Sequence, residues 1–515
     1  MTRFVRSPLF LAAMLALALI VRLYQIGSVS NDFHAVRQYS TAMQVRPDFL
    51  ATQPDTPAWR LENARLNQQP MLEPPVIQQA ALLAYRIAGS ENLALPRAIS
   101  AIFWTIGGYF IYLLGKKLFT PEAALLAMVF FLFAPFGLLA SRSFQANPTM
   151  MALAIISLYA ITSYFENPSP RRMMLAILPA AAAMIVMIYA VFIILPAYYA
   201  LAIQAKGWRR ATFNRHTVIF GFFSLLPSAL YYMYGFFGAG FLRNQTGSLL
   251  IPALWVSPIY WSNWAYLIVV VIGLVPLILS INALATTRRS STAALLRGLW
   301  GGYLVFGLLV NYPIMSHSYY SLPMLLIASL SIGCTAHQFI IRLPAARRPL
   351  ISSVVATGIS AVIIVVGLAQ YLPTTIITEE QSRSVQVAQE VGERLEHTSH
   401  AIYLTSDYGM TLQYFGELAG SAWPNVVSLR INELAHRPQL TVEERIQQIM
   451  ANGDYRYFVI TSKLEFELQT DLIKYLDEHY PILVQTDDYI IYRLDTELDK
   501  VSSSKTEISE DIFGY

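Results

Sequence analysis

Pro8–Ile20 reads PLFLAAMLALALI and Ile359–Ala369 reads ISAVIIVVGLA, two runs without a charged side chain. Over all 515 residues, 55% are hydrophobic and 13% are charged, and this charged fraction is about half of that in soluble globular proteins. A helix that crosses a bilayer needs about 20 mainly apolar residues, and both runs lie inside longer segments of this kind. The sequence therefore predicts a mainly α protein, a polytopic transmembrane helical bundle.

The apolar segments predict eleven helical spans. They cover residues 8–26, 95–118, 121–141, 148–165, 172–188, 190–204, 216–236, 264–285, 298–315, 322–341 and 350–372. A hydropathy scan alone would merge 172–188 with 190–204. One helix there would be about 50 Å long at 1.5 Å per residue, too long for a hydrocarbon core of about 30 Å. We therefore expect two helices in this stretch.

Basic residues in short loops predict the orientation, because such loops stay on the cytoplasmic side of a membrane. With eleven spans, the larger basic clusters all fall on one side: Arg3/Arg6, Lys116/Lys117, Arg171/Arg172, Lys206 to Arg215, Arg288/Arg289/Arg297 and Arg342/Arg347/Arg348. This parity predicts a multi-pass protein of the plasma (inner) membrane with a cytoplasmic N-terminus. It places the first loop, 27–94, and the C-terminal domain on the extracytoplasmic side.

Charge divides the chain into two parts near Pro373. Residues 1–373 hold 25 Lys/Arg and 8 Asp/Glu, whereas residues 374–515 hold 11 and 24. We therefore predict a transmembrane domain over 1–373, a soluble extracytoplasmic domain over 374–500 and a disordered tail over 501–515. The basic residues lie between spans rather than on one face, so no nucleic acid partner is expected. Cys334 is the only cysteine, which excludes an intrachain disulfide and a cysteine metal cluster.

The soluble C-terminal region alternates between helix-like and strand-like segments. The helical patterns cover 382–396, 441–450 and 464–479, and the strand patterns cover 401–406, 457–461 and 489–494. Alternation of this kind is typical of a small domain in which helices cover a sheet. We expect an α/β domain.

Acidic residues concentrate in the first loop of the membrane part. Six of its eight lie there: Asp32, Asp48, Asp55, Glu62, Glu73 and Glu91. No acid lies deep in a predicted span, whereas a proton-coupled transporter would be expected to bury carboxylates at mid-membrane. The pattern indicates a site at the outer membrane surface.

The loop begins its polar part with Asn31-Asp-Phe-His-Ala-Val-Arg-Gln38, a few residues after the first span. A carboxylate at Asp32 could take a proton from an acceptor that attacks a sugar anomeric carbon. The fork of donors on Arg37 suits a phosphate leaving group. An ordinary solvated loop with unremarkable charges would carry the same residue types, so local spacing leaves both interpretations open.

Three further outer segments carry polar groups that could touch a substrate. In Glu73-Pro-Pro75 the prolines restrict the backbone and aim the carboxylate, although a plain turn would look the same. Arg142 breaks the positive-inside pattern, which suits a lipid phosphate or a side chain that reaches the headgroups. His317, Tyr319 and Tyr320 could hydrogen-bond a pyrophosphate or sugar, or form an aromatic interface belt.

Five segments together resemble the GT-C integral-membrane glycosyltransferases of the protein mannosyltransferase and aminoarabinose transferase superfamily, which are glycosyltransferase family 39-like. The segments are Asp32-Phe-His-Ala-Val-Arg-Gln38, Glu73-Pro-Pro75, Pro96-Arg-Ala-Ile-Ser100, Arg142-Ser-Phe-Gln-Ala-Asn-Pro148 and His317-Ser-Tyr-Tyr-Ser-Leu-Pro323. Their combination extends over residues 1 to about 345. The resemblance implies a GT-C bundle that performs an inverting transfer of a sugar from a polyprenyl-phosphate carrier on the outer face.

The resemblance also implies roles for individual residues. Asp32 would be the base, Arg142 a phosphate ligand and Glu73 a contact to the acceptor or donor. Gln38, Gln145 and Asn147 are assigned to substrate binding with them. Phe33 stands where better-known members have Glu, which leaves His34 a rival for the base, and Asn147 stands where an Asp is frequent, which argues against a metal. No cofactor is expected.

Two other classes of function share some of these features. A carrier or flippase for a lipid-linked glycan would need the basic phosphate sites but no base. An assembly protein would use the C-terminal domain to bind a partner. For the leading hypothesis, a lipid-linked sugar transferase, the expected partners are a polyprenyl-phosphate sugar donor, membrane lipid and an acceptor that is protein, lipid or glycan. Sequence does not choose the sugar or the acceptor.

Overall fold

Helices dominate the computed structural model, which describes residues 7–29, 32–68, 71–243, 249–434 and 438–496. By internal contacts the chain divides into two compact units. The first contains Met1–Pro57 and Gln68–Ser382, and the second contains Ala58–Asn67 and Arg383–Tyr515. The tail expected at 501–515 and the basic residues Arg3 and Arg6 lie outside the described residues.

The first unit is a bundle of helices whose ends coincide with prolines, glycines and polar caps. In the described residues its α-helices are Pro8–Leu23, Ala35–Leu50, Val76–Ala88, Ala94–Leu118, Pro121–Phe133, Pro135–Ala140, Ala146–Glu166, Pro170–Val186, Val191–Lys206, Trp208–Thr212, Arg215–Met233, Pro258–Ile272, Leu274–Thr286, Ser291–Leu309, Asn311–Ser316, Pro323–Ile341 and Arg348–Tyr371. Short 3₁₀ turns cover Ile188–Ala190, Pro252–Val256, Ser318–Ser321 and Leu372–Thr375, and Tyr234–Gly238 is a π-helix.

The structure confirms a multi-pass membrane protein but not the count of eleven spans. Within the described residues, 7 helices are long and apolar enough to cross a membrane, or up to 8 with one bent pair. That pair, Pro258–Ile272 and Leu274–Thr286, bends by 101° at Gly273, whose φ of 82° is one that glycine adopts without strain. Pro8–Leu23 and Pro121–Phe133 are apolar but shorter than a full span.

The stretch 172–204 forms two helices, as predicted from its length. Pro170–Val186 ends at Met187, whose backbone is extended with φ −161° and ψ 118°. A 3₁₀ turn at Ile188–Ala190 precedes the second helix, Val191–Lys206. The break at Met187 lies on the wall of a cavity.

The centre of the bundle is Pro121–Phe133, in which every residue from Glu122 to Phe133 is buried. Helices Ala94–Leu118, Pro323–Ile341 and Arg348–Tyr371 pack around it. A helix that is apolar on all sides is expected in such a central position. Its C-terminal end leads through Pro135–Ala140 into the loop 141–145, which carries part of the candidate site.

The second unit contains a five-stranded mixed sheet and confirms the predicted α/β domain. Its strands are β1 (Ala401–Leu404), β2 (Gly420–Ala422), β3 (Tyr457–Ile460), β4 (Ile482–Gln485) and β5 (Ile490–Arg493), in the order β2-β1-β3-β5-β4. β1 is parallel to β2 and β3, and β5 is antiparallel to β3 and β4. The α-helices from residue 379 onward are Glu379–Arg394, Met410–Phe415, Val426–Leu434, Val442–Met450, Lys463–Glu467 and Thr470–His479.

The predicted elements of this unit recur with small shifts, and two strands were not predicted. The expected helix 464–479 is two helices, because Leu468 and Gln469 interrupt it. β2 has three residues, and β4 is an edge strand whose side chains are mostly exposed, so neither has an alternating apolar pattern.

One helix of the first loop, Ala58–Leu66, lies in the second unit. Arg60 pairs with Glu417 at 2.6 Å, and Asn63 Nδ2 donates to the carbonyl oxygens of His397 at 2.5 Å and Glu417 at 2.8 Å. The Trp59 ring stacks on His397 with centroids 4.4 Å apart. The sequence analysis predicted that all of 27–94 belongs to the membrane domain. Contacts between residues more than 300 positions apart leave no local pattern in sequence, so the place of this helix in the second unit could not be predicted.

Candidate active site

The first loop enters helix Ala35–Leu50 through a constrained turn. His34, the residue before the helix, has φ 44° and ψ 62°, a left-handed conformation that is unfavourable for a side chain larger than glycine. The buried Gln38 holds this turn in place. Its Nε2 donates to Phe33 O at 2.7 Å, and its Oε1 accepts from Phe144 N at 3.0 Å. Gln38 thus joins the first loop to the loop 141–145.

Asp32 is buried between two arginines. Its Oδ2 pairs with Arg97 Nη2 and lies 3.3 Å from Arg142 Nε. Arg97 has further acceptors in the carbonyl oxygens of Ile26 at 2.9 Å, Ser28 at 2.8 Å and Arg142 at 3.1 Å. Removal of one member of a buried pair leaves an uncompensated charge. The position of Asp32 therefore depends on Arg97.

Arg142, expected to bind phosphate, donates to protein oxygens in this structure. Its Nη1 contacts Tyr24 O at 3.0 Å and the Tyr371 hydroxyl at 2.5 Å, and its Nη2 contacts Gln25 O at 2.6 Å. The side chain is fully buried. In this arrangement Arg142 fixes the end of the first helix, and its role as a phosphate ligand stays a prediction.

Arg22 and Arg97 are parts of this network that the sequence did not single out as site residues. Arg22 donates to Ser141 Oγ at 2.7 Å and to Leu132 O at 2.5 Å, so it orients the residue next to Arg142. In the sequence Arg97 stands out only as part of the Pro96–Ser100 motif. A cation inside or beside an apolar segment was the available signal for both arginines, and it did not reveal a partner.

Several buried polar atoms around this network have no hydrogen-bond partner among the described residues. They include Asp32 Oδ1, Gln145 Oε1 and Nε2, and Asn147 Oδ1. Leaving such a group unsatisfied costs about 1–3 kcal/mol, so buried groups of this kind need an explanation. Asp32 Oδ1 is the carboxylate oxygen that the two arginines do not contact.

A cavity of about 650 Å³ lies in the first unit. Its polar lining includes Arg37, Glu73, Tyr189, Tyr232, Tyr312, His317 and Tyr320, and its apolar lining includes Leu72, Met187, Ile188, Met233, Phe236, Phe237, Leu242 and Leu249. The polar group is clustered, since the Tyr320 ring lies 5.5 Å from Tyr189 and 6.2 Å from His317. The cavity can accept a molecule that has a charged group and an apolar chain.

Arg37 and Glu73 form an ion pair on the cavity wall, with Nη2 and Oε1 2.8 Å apart. The Glu73 carboxylate raises the pKa of Arg37 above its ordinary value, so the guanidinium is cationic at any physiological pH. The Tyr231 hydroxyl donates to the carbonyl oxygens of Met71 and Glu73, at 2.8 and 3.1 Å. Together with the two prolines after Glu73, these bonds fix the carboxylate opposite Arg37.

Two histidines lie beside this ion pair. His34 Nε2 is 3.0 Å from Ser318 Oγ, and its ring lies 6.2 Å from that of His317 and 4.7 Å from that of Tyr319. Burial, with a smaller effect of His317, lowers the pKa of His34 to about 4. Burial and the Arg37 charge lower the pKa of His317. Both rings are therefore neutral near pH 7.

The structure sorts the predicted site residues into two adjoining groups. Arg37, Glu73, His317 and Tyr320 line the cavity, and His34 and Tyr319 contact this wall through ring packing. The second group has buried side chains and connects the first loop with the loop 141–145. Its members are Asp32, Gln38, Arg142, Gln145 and Asn147.

The cavity also has lining residues that the sequence did not predict. Tyr189 lies at the Met187 break and faces the cavity. Phe236 and Phe237 belong to the π-helix Tyr234–Gly238, a rare element that is frequent at functional sites. Hydropathy does not show which apolar residues line a cavity and which face lipid.

Comparison with known proteins gives a family match for part of the chain. Residues 72–232 match the sequence model of the dolichyl-phosphate-mannose-protein mannosyltransferase family. This range includes Glu73, Arg97 and Arg142 of the candidate site. No curated protein matches the sequence significantly.

Solved structures match nearly the whole chain in fold. ArnT from Cupriavidus metallidurans bound to undecaprenyl phosphate superposes with a TM-score of 0.55 at 12% identity, over 94% of this chain and 98% of that one. The apo state of the same protein gives 0.55 at 13% identity, over 94% and 97%. The archaeal oligosaccharyltransferase AglB from Archaeoglobus fulgidus, in complex with an inhibitory peptide and a dolichol-phosphate, gives 0.54 at 11% identity, over 93% and 74%.

Proposed function

We propose that this chain, which has the fold of the GT-C membrane glycosyltransferases and thereby confirms the resemblance found in its motifs, transfers a sugar from a polyprenyl-phosphate-linked donor to an acceptor. The transfer takes place on the outer face of the membrane and inverts the anomeric configuration. The reaction needs a phosphate site, an apolar channel for the carrier and a base for the acceptor.

The observation that carries the proposal is the mixed lining of the cavity. Arg37, His317 and Tyr320 supply donors beside a wall of Leu, Ile, Met and Phe side chains. This combination suits a phosphate that continues into an isoprenoid chain, because the two parts need opposite environments. Two of the structures that share the fold hold undecaprenyl phosphate and dolichol-phosphate, respectively.

Arg37 binds the phosphate of the donor in this proposal. It is the guanidinium on the cavity wall, whereas Arg142 is buried and bonded to protein oxygens. A guanidinium offers two parallel donors to phosphate oxygens and stabilises the charge that develops as the leaving group departs. Tyr319, Tyr320 and the neutral His317 add contacts to the phosphate or the sugar, and Glu73 contacts the acceptor or the donor.

Asp32 is the proposed general base. Arg97 and Arg142 hold its Oδ2, and Oδ1 takes the proton of the acceptor. The acceptor oxygen or nitrogen forms a bond to the anomeric carbon as the bond from that carbon to the phosphate oxygen breaks, and the polyprenyl phosphate leaves as an anion. His34 is the rival base, because its ring is neutral and contacts the cavity wall through His317 and Tyr319.

Buried polar residues hold the Asp32–His34 turn in position. Gln38 connects the Asp32–His34 turn to Phe144, and the unsatisfied atoms of Gln145 and Asn147 are available to a bound substrate. The outer location rests on the positions of the basic loops. The same argument gives a plasma (inner) membrane protein with a cytoplasmic N-terminus and an extracytoplasmic C-terminal domain.

The experiment that tests the function separates transfer from transport. Purified protein in proteoliposomes receives polyprenyl-phosphate donors with labelled sugars, together with a cell-envelope extract as acceptor. A transferase yields label in a new covalent product and free polyprenyl phosphate. Movement of intact donor across the bilayer without a new product would instead establish the flippase.

A further inference from the structure

A basic pocket lies at a loop that the proposed reaction does not use. It has a volume of about 510 Å³ and is lined by Ala205, Lys206, Arg209, Arg210, Phe213 and Asn214. The short helix Trp208–Thr212 forms one side. Tyr199 and Thr212 bond through their hydroxyls at 2.6 Å, which ties this helix to Val191–Lys206. This contact holds one side of the pocket in place against the bundle.

The cations of this pocket have no carboxylate partner in the described part of the chain. Lys206, Arg209, Arg210 and Arg215 form no ion pair there, and the contacts that Arg209 and Arg215 do make are to Trp208 and His216. The sequence explains this, since it has no Asp or Glu between Glu166 and Glu379. Three of these cations, Lys206, Arg209 and Arg210, line the pocket, so it attracts anions from outside the protein.

Apolar side chains next to the cations are exposed to the surroundings. Trp208 is 62% and Phe213 85% exposed. The helix Arg215–Met233 continues this surface with exposed Val218 and Phe222, one turn apart. Trp and basic residues together are typical of the level of the lipid headgroups. A soluble anion would use the cations and leave the aromatic rings and the helix face uncovered.

The pocket is remote from the candidate active site, although both lie on the same two helices. Met187 and Tyr189 line the cavity just before Val191–Lys206, and Met233 lines it at the end of Arg215–Met233. The basic pocket lies at the other end of each helix. At 1.5 Å per residue these helices of 16 and 19 residues are about 24 and about 28 Å long, close to the thickness of a hydrocarbon core.

We propose that the pocket binds the phosphodiester headgroup of an anionic phospholipid at the membrane surface opposite the active site. Lys206, Arg209 and Arg210 contact the phosphate, and the acyl chains lie along the exposed face of Arg215–Met233. Trp208 and Phe213 rest among the headgroups of the neighbouring lipids. The bound lipid neutralises a charge that no residue of the described chain neutralises, and it stabilises the two helices that border the cavity.

The test compares two double variants of equal charge in the full-length protein. Arg209→Gln/Arg210→Gln removes two cations from the pocket. Arg171→Gln/Arg172→Gln removes two from another basic loop, where Arg172 donates to Ser163 O at 3.0 Å. Binding of phosphatidylglycerol and phosphatidylcholine to each protein in detergent is measured by native mass spectrometry. The shift in the unfolding temperature with each lipid is measured in parallel.

The pocket variant is expected to bind phosphatidylglycerol about 30-fold more weakly than the wild type, from the usual gain per basic residue near an anionic surface. The control variant should keep the wild-type affinity, and phosphatidylcholine should bind all three proteins weakly. Arg209→Lys/Arg210→Lys keeps both charges and should retain most of the phosphatidylglycerol binding. This variant also controls for a loss of folding in the loop. Equal losses in both Gln variants, or equal stabilisation by inorganic phosphate, would overturn the proposal.

Discussion

Arg37 donates a hydrogen bond from Nη2 to Glu73 Oε1 across 2.8 Å, on the wall of the cavity that carries the proposed reaction. The two residues lie 36 positions apart in the first loop. The Glu73 carboxylate thus holds the cation to which the proposed donor phosphate would bind. In the proposed reaction, donor binding exchanges one anion for another and releases the Glu73 carboxylate for the acceptor or the sugar.

This exchange predicts opposite effects of two substitutions on donor affinity. Arg37→Gln should weaken binding of the polyprenyl-phosphate donor by at least about tenfold, the usual loss of a charge-assisted hydrogen bond. Glu73→Gln should tighten donor binding, because it removes the competing anion, and should lower the rate of transfer. Titration of donor binding and the KM and kcat of transfer check both. Weaker donor binding in Glu73→Gln would show that Glu73 is a donor ligand instead.

Arg97 is expected to be essential for stability. Arg97→Gln should lower the free energy of unfolding by about 3–5 kcal/mol, because it breaks a buried pair and leaves Asp32 less compensated. Lys117→Gln is the matched control, since it also removes one cation from an ion pair, with Glu166, but near the surface, where such a pair is worth at most about 1 kcal/mol. The unfolding temperatures of both variants, measured in the same detergent, compare the two losses of stability. Equal effects would contradict the structural role of the Asp32–Arg97 pair.

The lowered pKa of His34 predicts a loss of stability in acid. Folded His34 titrates at about 4 and ordinary histidine at 6.5, so between these values the unfolded chain binds more protons than the folded one. Stability should therefore be complete above about 6.5 and fall as the pH decreases towards 4. The unfolding temperature of His34→Gln should depend less on pH over this range. His317→Gln should reduce the slope as well, since the pKa of His317 is also lowered.

The apolar lining predicts that the cavity holds the carrier chain. Met233→Trp places a larger side chain on the cavity wall and should weaken binding of a long polyprenyl phosphate by about fivefold or more. Phe223→Trp, on an exposed face of the same helix, should leave binding unchanged. Competition binding with a labelled polyprenyl phosphate provides the measurement. Equal affinities in both variants would place the chain elsewhere.

The membrane architecture was predictable because lipid imposes length and composition on every span. The split at Met187 followed from helix length alone, and the α/β character of the C-terminal domain followed from the alternation of its segments. The span count did not follow, because Pro8–Leu23 and Pro121–Phe133 are short and Gly273 bends another pair. Composition shows where residues are apolar, but the length of a helix depends on where prolines and glycines end it.

The site was predictable in its residue types and not in its connections. Clustered acids and out-of-place cations pointed to Asp32, Glu73 and Arg142, but the partner of Asp32 lies 65 residues away in Arg97. Such pairings are set by the packing of helices and leave no periodic signal in sequence. The same holds for Tyr189 and Phe236, whose apolar surroundings look alike whether they line a cavity or face lipid.

The proposed base is tested by transfer of labelled sugar from a polyprenyl-phosphate donor to the acceptor by Asp32→Asn, with the unfolding temperature of the variant measured to show that it remains folded. Asp32→Asn is expected to lose at least about a hundredfold of the transfer rate, the usual contribution of a positioned base. Unchanged transfer in folded Asp32→Asn would contradict the assignment of Asp32 as the base.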